Sequence, residues 1–265
     1  MEKNKRACPI CYEEKPVHLP KLSHADWNTV KCGHCDMVYL DEAPDYASLS
    51  EDMAWTKQFK KEAKRRKQKE PFIAWLDAKT RWRLHMFRDN EWDYISAHVT
   101  NGRVLDVGCG GINNIPAKYT PFGIEIEKQA AEISHALMEK CGGFVVHAPA
   151  LEGVDLFKDA FLDGIIMRSY LEHEANPRHV LRDCYSKLKP GGAIYIKVPN
   201  FDTINRKVRG VNWCGFRFPD HLNYFSIKTL RQLATLENYQ FKLKNTLTRF
   251  TNDNAHCFFI KKGHD

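Results

Sequence analysis

Four cysteines near the start of the chain carry its most specific spacing. Cys8, Cys11, Cys32 and Cys35 read C-x2-C-x20-C-x2-C. Each pair places two thiolates on one tight knuckle, and two knuckles complete a tetrahedral shell around Zn2+. The neighbours suit such knuckles: Pro9 lies in the first, and Gly33 in the second, where a left-handed backbone is cheap for glycine. Four thiolates leave no open position for water, so a zinc ion here would staple the fold and not catalyse. His24 and His34 lie close by but are not needed in a shell that is already complete. The other five cysteines, Cys109, Cys141, Cys184, Cys214 and Cys257, are scattered singles. An odd total of nine argues against a disulfide framework and for a reducing, cytoplasmic setting.

A second constellation begins at Val104. Val104-Leu105-Asp106-Val107-Gly108-Cys109-Gly110-Gly111 reads as a buried strand breaking into a glycine turn, where a ligand can approach the backbone closely. Fifteen residues past Gly110, the segment Gly123-Ile124-Glu125-Ile126-Glu127 ends a second strand in an acid that can take both hydroxyls of a ribose. The dinucleotide pattern would need glycine at position 113, where Asn113 stands, and no P-loop lysine follows. Asp106 beside the turn would repel a pyrophosphate and suits a ligand that carries an ammonium group. S-adenosylmethionine has a ribose, an ammonium and a sulfonium, and no phosphate.

These residues need a scaffold, and the chain spells one out. Strands are expected over 103–107, 120–126, 143–147, 164–167 and 193–198. Helices are expected over 128–140 and 177–188, the latter stopped by Pro190-Gly191-Gly192. Such alternation predicts an α/β fold with a parallel sheet wound on both faces. One or two amphipathic helices are expected between Phe72 and Val99, with Trp75, Trp82 and Trp92 as packing groups. The 265 residues, 43% hydrophobic and 12% aromatic, exclude wholesale disorder, and no apolar run is long enough to span a membrane. The opening Met1-Glu2-Lys3-Asn4-Lys5-Arg6 leads into cysteines and does not read as a signal peptide.

The net charge of +7 is local. Residues 57–69 hold eight cations, among them Lys57, Lys64, Arg65 and Lys69, against the single anion Glu62, so this strip accounts for the whole excess. It reads as a solvated helix or as a docking strip for phosphate on RNA, a lipid head group or a nucleotide-linked substrate; any peripheral membrane contact would run through it.

With these motifs in view, the chain resembles the class I S-adenosylmethionine-dependent methyltransferases over residues 80–265. VLDVGCGG resembles the family's first motif, and GIEIE the acidic end of its second strand. LEHEANPRHVLRDCYSKLKPGGAIYIKVPN resembles the stretch from the fourth strand to the fifth. Ribbon included, the chain is similar to bacterial methyltransferases of small molecules, sugars and surface glycans. In these a cysteine ribbon followed by a segment like Val38-Tyr39-Leu40 precedes the catalytic domain, and VNWCGFRFPDHLNYFSIKTLRQL matches a later segment. The resemblance implies a doubly wound, mostly parallel seven-stranded, Rossmann-like sheet closed by two antiparallel strands near 240–250 and 256–262. It implies a zinc ribbon over 1–45, a basic helical connector over 46–78, and a methyltransferase domain over 79–265 with a substrate cap over 201–222. The family's first motif continues to a glycine where Ile112 stands, and Gly111 is expected to take its place by a one-residue shift.

Carried over residue by residue, the resemblance implies that Asp106, Gly108, Cys109 and Gly110 line the methionine half of the cofactor. Glu125 would hold the ribose, Ile126 and Leu151 would flank the adenine, and Arg168 and Ser169 would lie near the sulfonium. An oxygen or carbon acceptor must also lose a proton, ideally to a group titrating near neutrality. His173, in Tyr170-Leu171-Glu172-His173, is one candidate base, and His221, in Pro219-Asp220-His221, is the other. Deoxysugar C-methyltransferases carry a similar tyrosine-x-glutamate-histidine group, which brings Tyr170 into the catalytic set. The long C-terminal extension of those enzymes is not seen here, which counts against ketosugar C-methylation, and the expected reaction is O-methylation of a sugar, glycan or other small metabolite. The cap mixes Arg206, Lys207, Arg209 and Arg217 with Trp213 and Phe216, which would hold a sugar ring by stacking and a phosphate by charge, or pack as a lid. The alternative is an RNA methyltransferase whose ribbon and basic strip grip nucleic acid; the small-molecule reading is preferred.

Overall fold

The computed structural model describes residues 3–24, 26–44, 90–244 and 249–263. The basic strip, Trp75, Trp82 and the connector expected over 46–78 lie outside the described residues. Of the helices expected before Val99, the described part is α1 (Glu91–Ile95), capped by the Asn90 side chain, which accepts from the Trp92 amide.

The alternation of apolar runs and amphipathic stretches becomes one seven-stranded sheet. Its strands are β6 (Gly102–Val107), β7 (Tyr119–Glu125), β8 (Phe144–His147), β9 (Leu162–Arg168), β10 (Leu188–Pro199), β12 (Tyr239–Leu243) and β13 (Asn254–Lys261). The order is β12-β13-β10-β9-β6-β7-β8, with β13 antiparallel to both neighbours and the remaining pairs parallel. Because the chain runs from β6 to β8 on one side and resumes at β9 on the other, the carboxyl ends of β6, β7 and β9 flank a topological switch point. The two closing strands expected from the family resemblance are β12 and β13.

Both faces of the sheet are covered, and successive residues feed opposite cores, as the period of a strand requires. Leu105, Ile165 and Ile194 enter one cluster, while Val104, Ile166 and Tyr195 enter the other. Helices α2 (Lys128–Glu139), α3 (Ala150–Asp155) and α4 (Pro177–Lys187) bury the narrow faces their spacing allows: Ala131, Ser134 and Met138 from α2, and Val180, Leu181 and Cys184 from α4. Pro177 opens α4 at a position where a missing amide hydrogen costs nothing. One expectation is corrected here: Pro190-Gly191-Gly192 does not separate helix from strand. β10 starts at Leu188 and absorbs the three residues as an irregularity between its Leu188 and Ala193 pairings with β9.

The amino-terminal cysteines fold into a small meander of β2 (Pro16–His18), β3 (Thr29–Cys32) and β4 (Val38–Leu40), while β1 (Lys3–Lys5) pairs with β5 (Glu42–Pro44). The meander does not stand apart. Its fourth strand is β11 (Asn223–Tyr224), from the other end of the chain, paired antiparallel with β4. Arg6 reinforces the junction by donating to the carbonyls of Leu40 (3.3 Å), Leu222 (3.4 Å) and Ala175 (2.8 Å) and to Asn223 Oδ1 (3.0 Å). Between β10 and β11, α5 (Ile204–Arg209) and the following turns bring Trp213, Phe216, Leu222 and Tyr224 against Val38, Leu40 and Ala43 in one buried cluster. The last helix, α6 (Ile227–Leu236), starts with a reciprocal capping box between Ser226 and Thr229. Among the described residues no helix is long and apolar enough to cross a membrane.

Candidate active site

The glycine turn after β6 is held from both sides. The amides of Gly108 (2.8 Å) and Cys109 (3.2 Å) both donate to the Ile124 carbonyl at the end of β7, and the Gly110 amide donates to Glu125 Oε2 at 2.8 Å. Gly108 and Gly110 adopt φ of +73° and +62°, a region open to glycine at little cost. A Cβ at Gly108 would come 3.3 Å from the Tyr170 ring, whereas one at Gly110 would meet nothing within 4 Å. Gly111 has no left-handed φ, and a Cβ there would make ordinary contacts with Ala130 and Ile133 at 3.7 Å, so the backbone of this turn calls for glycine at Gly108 and Gly110. These three amides are therefore engaged within the chain and not turned to a phosphate. The turn presents carboxylates instead, from Asp106 and Glu125, which fits the donor-rich ribose and ammonium of S-adenosylmethionine.

Glu125 occupies the centre of this arrangement. Its Oε1 accepts from the Glu127 amide at 2.9 Å while Oε2 holds Gly110, so its carboxylate is oriented before any ligand arrives. Ile126, the next residue, is half-buried, as is Leu151, which rests on the main core. Cys109 is different. Its thiol points inward, 5% exposed, within 3.5 Å of Ser134 Oγ, and burial pushes its pKa up to about 12. Any contact of Cys109 with cofactor would therefore run through the backbone.

Across the switch point, Arg168 at the end of β9 donates to Asp106 Oδ2 at 2.8 Å and lies 3.9 Å from Glu91, which Lys197 of β10 meets at 2.5 Å. Burial pushes the Asp106 carboxyl up, with Arg168 pulling the other way. Asp106 is thus already partnered, with Arg168 as its counter-ion. Glu91 was not foreseen. Lys197 left one signal: a lysine within the apolar run Ile194-Tyr195-Ile196-Lys197-Val198 needs a buried acid. Ser169 is exposed, with φ +51°, and its amide donates to the Lys197 carbonyl at 2.9 Å.

The two candidate bases lie together, their rings edge-on at 4.6 Å, although 47 residues separate His173 from Asp220 in the chain. His173 Nδ1 lies 2.9 Å from the Asp220 carbonyl and 3.0 Å from its Oδ1, and Arg217 pairs with the same carboxylate. Burial opposes charge on His173, but Asp220 more than offsets it, so the imidazole pKa rises. Burial and the adjacent His173 push His221 well down; it is 4% exposed, with Nδ1 against the Gly215 carbonyl at 2.8 Å. Glu172 is 1% exposed, and burial pushes its carboxyl up to about 7. Tyr170 donates its hydroxyl to the buried Glu174 while its ring lies against Gly108, linking this cluster to the glycine turn. The cap aromatics Trp213 and Phe216 are fully buried, so they pack the ribbon junction and offer no face to a sugar.

A family model for a methyltransferase domain matches residues 78–244, well over half of the chain. The chain belongs to the class I S-adenosylmethionine-dependent methyltransferases. Among its relatives is an uncharacterized protein of Methanocaldococcus jannaschii, 28% identical over 178 residues, covering 66% of this chain and 82% of that protein. A ubiquinone biosynthesis O-methyltransferase of Xanthomonas campestris pv. campestris is 29% identical over 125 residues, or 44% of this chain; the chain spans 52% of that relative's length. In fold, the chain is similar to a SAM-dependent methyltransferase of Thermotoga maritima, with TM-score 0.52, 21% identity, and 72% and 98% of the two chains covered. The YcgJ protein of Bacillus subtilis aligns with TM-score 0.50 and 14% identity over 64% of this chain and 96% of that one. In this methyltransferase the four amino-terminal thiols also converge. Cys8 and Cys35 Sγ lie 3.4 Å apart, and Cys11 lies 3.5 Å from both Cys32 and Cys35. The bond between Cys8 and Cys35 pulls the Cys8 thiol down and pushes Cys35 up.

Proposed function

We propose that this methyltransferase O-methylates a hydroxyl on a sugar, surface glycan or other small metabolite, and that the acceptor's proton leaves at the Glu172–His173–His221 cluster. The observation that carries this reading is the connection between the two halves of the site: Tyr170 packs its ring on Gly108 of the cofactor turn and stands two residues from Glu172 and three from His173. S-adenosylmethionine, when bound, supplies an electrophilic methyl group on sulfur. Glu125 would take the ribose, Asp106, Gly108 and Gly110 the methionine half, and Ile126 and Leu151 the adenine. Because methyl transfer is an in-line displacement, most of what the chain contributes is alignment, exclusion of water and removal of one proton. His173 is the member of the cluster reached from outside, with a side chain 25% exposed, and Asp220 fixes its ring by holding Nδ1. His221, buried and neutral, shapes the pocket around it. The O-methyltransferase name of the Xanthomonas relative supports an oxygen acceptor.

The four-cysteine cluster is proposed to hold a structural zinc ion. Its part in function is indirect: the ribbon carries β4 and Arg6, which hold β11, and β11 begins two residues after His221. Metal analysis should find zinc that is lost when Cys8 and Cys35 are both replaced by serine.

The activity is tested by offering S-adenosylmethionine with a labelled methyl group to nucleotide sugars, glycans and small hydroxylated metabolites, with rRNA and tRNA in parallel. Label in a hydroxyl-bearing small acceptor is expected, and its loss in His173→Ala should exceed any loss of cofactor affinity. Label in RNA alone would overturn the reading.

A further inference from the structure

The cluster after β9 has more free ligand atoms than removal of one proton requires. Glu172 Oε2 and His221 Nε2 are both buried without a hydrogen-bond partner. Leaving a buried polar atom unpaired costs roughly 1–3 kcal/mol, and more for a charged group, so two in one cluster call for an explanation. One ligand atom from each of Glu172, His173 and His221 lies within 4.8 Å of the others. The second nitrogen of each ring is already committed, His221 Nδ1 to the Gly215 carbonyl and His173 Nδ1 to the carbonyl and carboxylate of Asp220. A ring whose Nδ1–H donates to a carbonyl or carboxylate presents Nε2 as a lone pair, which is the support found behind metal-bound histidines. Two of the three residues thus hold a buried acceptor without a partner, and all three bring a ligand atom within 4.8 Å of one another.

The backbone holds this geometry in place. The Glu172 carbonyl accepts from the amides of Leu222 (2.8 Å) and Asn223 (3.0 Å), which pins His221 opposite Glu172. The Asn223 side chain adds bonds to the carbonyls of Leu171 (3.0 Å) and Glu174 (2.6 Å).

We propose that Glu172, His173 and His221 form a second metal site, separate from the four cysteines, that takes a divalent transition-metal ion through two imidazole nitrogens and one carboxylate oxygen. Such a set suits zinc, cobalt, manganese or iron(II) and leaves coordination positions open. With bonds of about 2.1 Å, ligands around a tetrahedral cation lie about 3.4 Å apart, so side-chain rotations that draw the ligand atoms together by up to about 1.4 Å would complete the set. His173 is the least buried of the three, so solvent and acceptor would reach the ion past it. The inference deepens the proposed function and rests on its reading that the acceptor loses its proton at this cluster. With the ion bound, a hydroxyl at its open position would be acidified and its O–H proton would pass to solvent base.

The test is a count of metal on the full chain, loaded with Zn2+ or Co2+ and freed of excess by gel filtration. The wild type is expected to retain two ions per chain, and Glu172→Gln and His221→Ala one. Cobalt separates the sites without any variant. The cysteine site gives thiolate-to-metal charge-transfer absorption, whereas a nitrogen–oxygen site adds only weaker visible d–d bands. One ion per chain in the wild type, with no cobalt bands beyond those of the cysteine site, would overturn the proposal. A second ion that survives Glu172→Gln and His221→Ala, in protein whose charge-transfer band shows the ribbon intact, would overturn its location. Methyl transfer to a hydroxyl by a chain holding only the ribbon metal would sink this inference and leave the proposed function standing.

Discussion

Replacing Glu125 by glutamine tests the cofactor site most sharply, because it keeps size and removes only charge and acceptor capacity. The carboxylate has about four lone-pair positions. Two are engaged by the amides of Gly110 at 2.8 Å and Glu127 at 2.9 Å, which leaves two for the ribose hydroxyls. In Glu125→Gln the side-chain NH2 must face one of these amides, donor against donor, and the remaining oxygen is neutral. Hydrogen bonds to a charged acceptor contribute about 1.5–3 kcal/mol, against about 1 kcal/mol for neutral pairs. Losing about 1–2 kcal/mol at each of two hydroxyls gives about 2–4 kcal/mol, so the Kd for S-adenosylmethionine should weaken roughly 30- to 700-fold. Titration calorimetry measures this directly. Glu125 is half-buried and the freed amides lie near water, so folding stability should fall by only about 1 kcal/mol. A Kd within about threefold of wild type, in protein of unchanged melting temperature, would show that Glu125 only ties the glycine turn and would remove it from the ribose role.

Further outcomes follow from particular contacts. Arg6→Met removes four bonds at the ribbon junction and leaves the nearby buried Glu174 without this counter-ion, and should cost about 3–5 kcal/mol in urea unfolding. Arg6→Lys should rescue little, because one ammonium cannot fork to four acceptors; a loss below about 1 kcal/mol in Arg6→Met would refute the assigned role. Gly123→Ala would place a Cβ 2.7 Å from Cys109 Sγ and 3.0 Å from Val145, and should cost about 1–3 kcal/mol while loosening the cofactor turn. Adding Cys109→Ala should recover part of that loss, and purely additive losses would count against the clash. Burial lowers the His256 pKa to about 4, against about 6.5 in the unfolded chain. The unfolded chain therefore takes up the proton first, and the stability is complete above pH 6.5 and falls away down to pH 4, by about 3 kcal/mol. His256→Gln should flatten that part of the acid limb, and an unchanged limb would assign it to other groups.

Much of the site was legible because strand and turn chemistry is local. Val104-Leu105-Asp106-Val107 could only be a buried strand, the glycines could only open a turn, and Glu125 had to end the neighbouring parallel strand within reach of that turn. The C-x2-C pairs were legible for the same reason, since each knuckle is set by adjacent residues. Side-chain direction was less accessible. Cys109 sits inside the glycine motif yet points into the core, because the turn aims alternate side chains to opposite sides and Gly123 leaves the space that its sulfur fills. Trp213 and Phe216 read as a sugar-binding surface, but their hydrophobic area is buried against Val38, Leu40 and Ala43, a choice that depends on what lies opposite.

The sequence alone therefore sufficed for the class of fold, the kind of cofactor and the four-thiol cluster, all of which follow from spacing within short segments. Only the tertiary structure could decide that the ribbon borrows β11 as a fourth strand, that Arg168 and Glu91 surround Asp106, and that Glu172, His173 and His221 share one buried point. Those partners come from segments up to 217 residues apart. Their meeting is set by how the sheet, the cap and the ribbon bury their apolar faces together, and no local pattern of residue types encodes it.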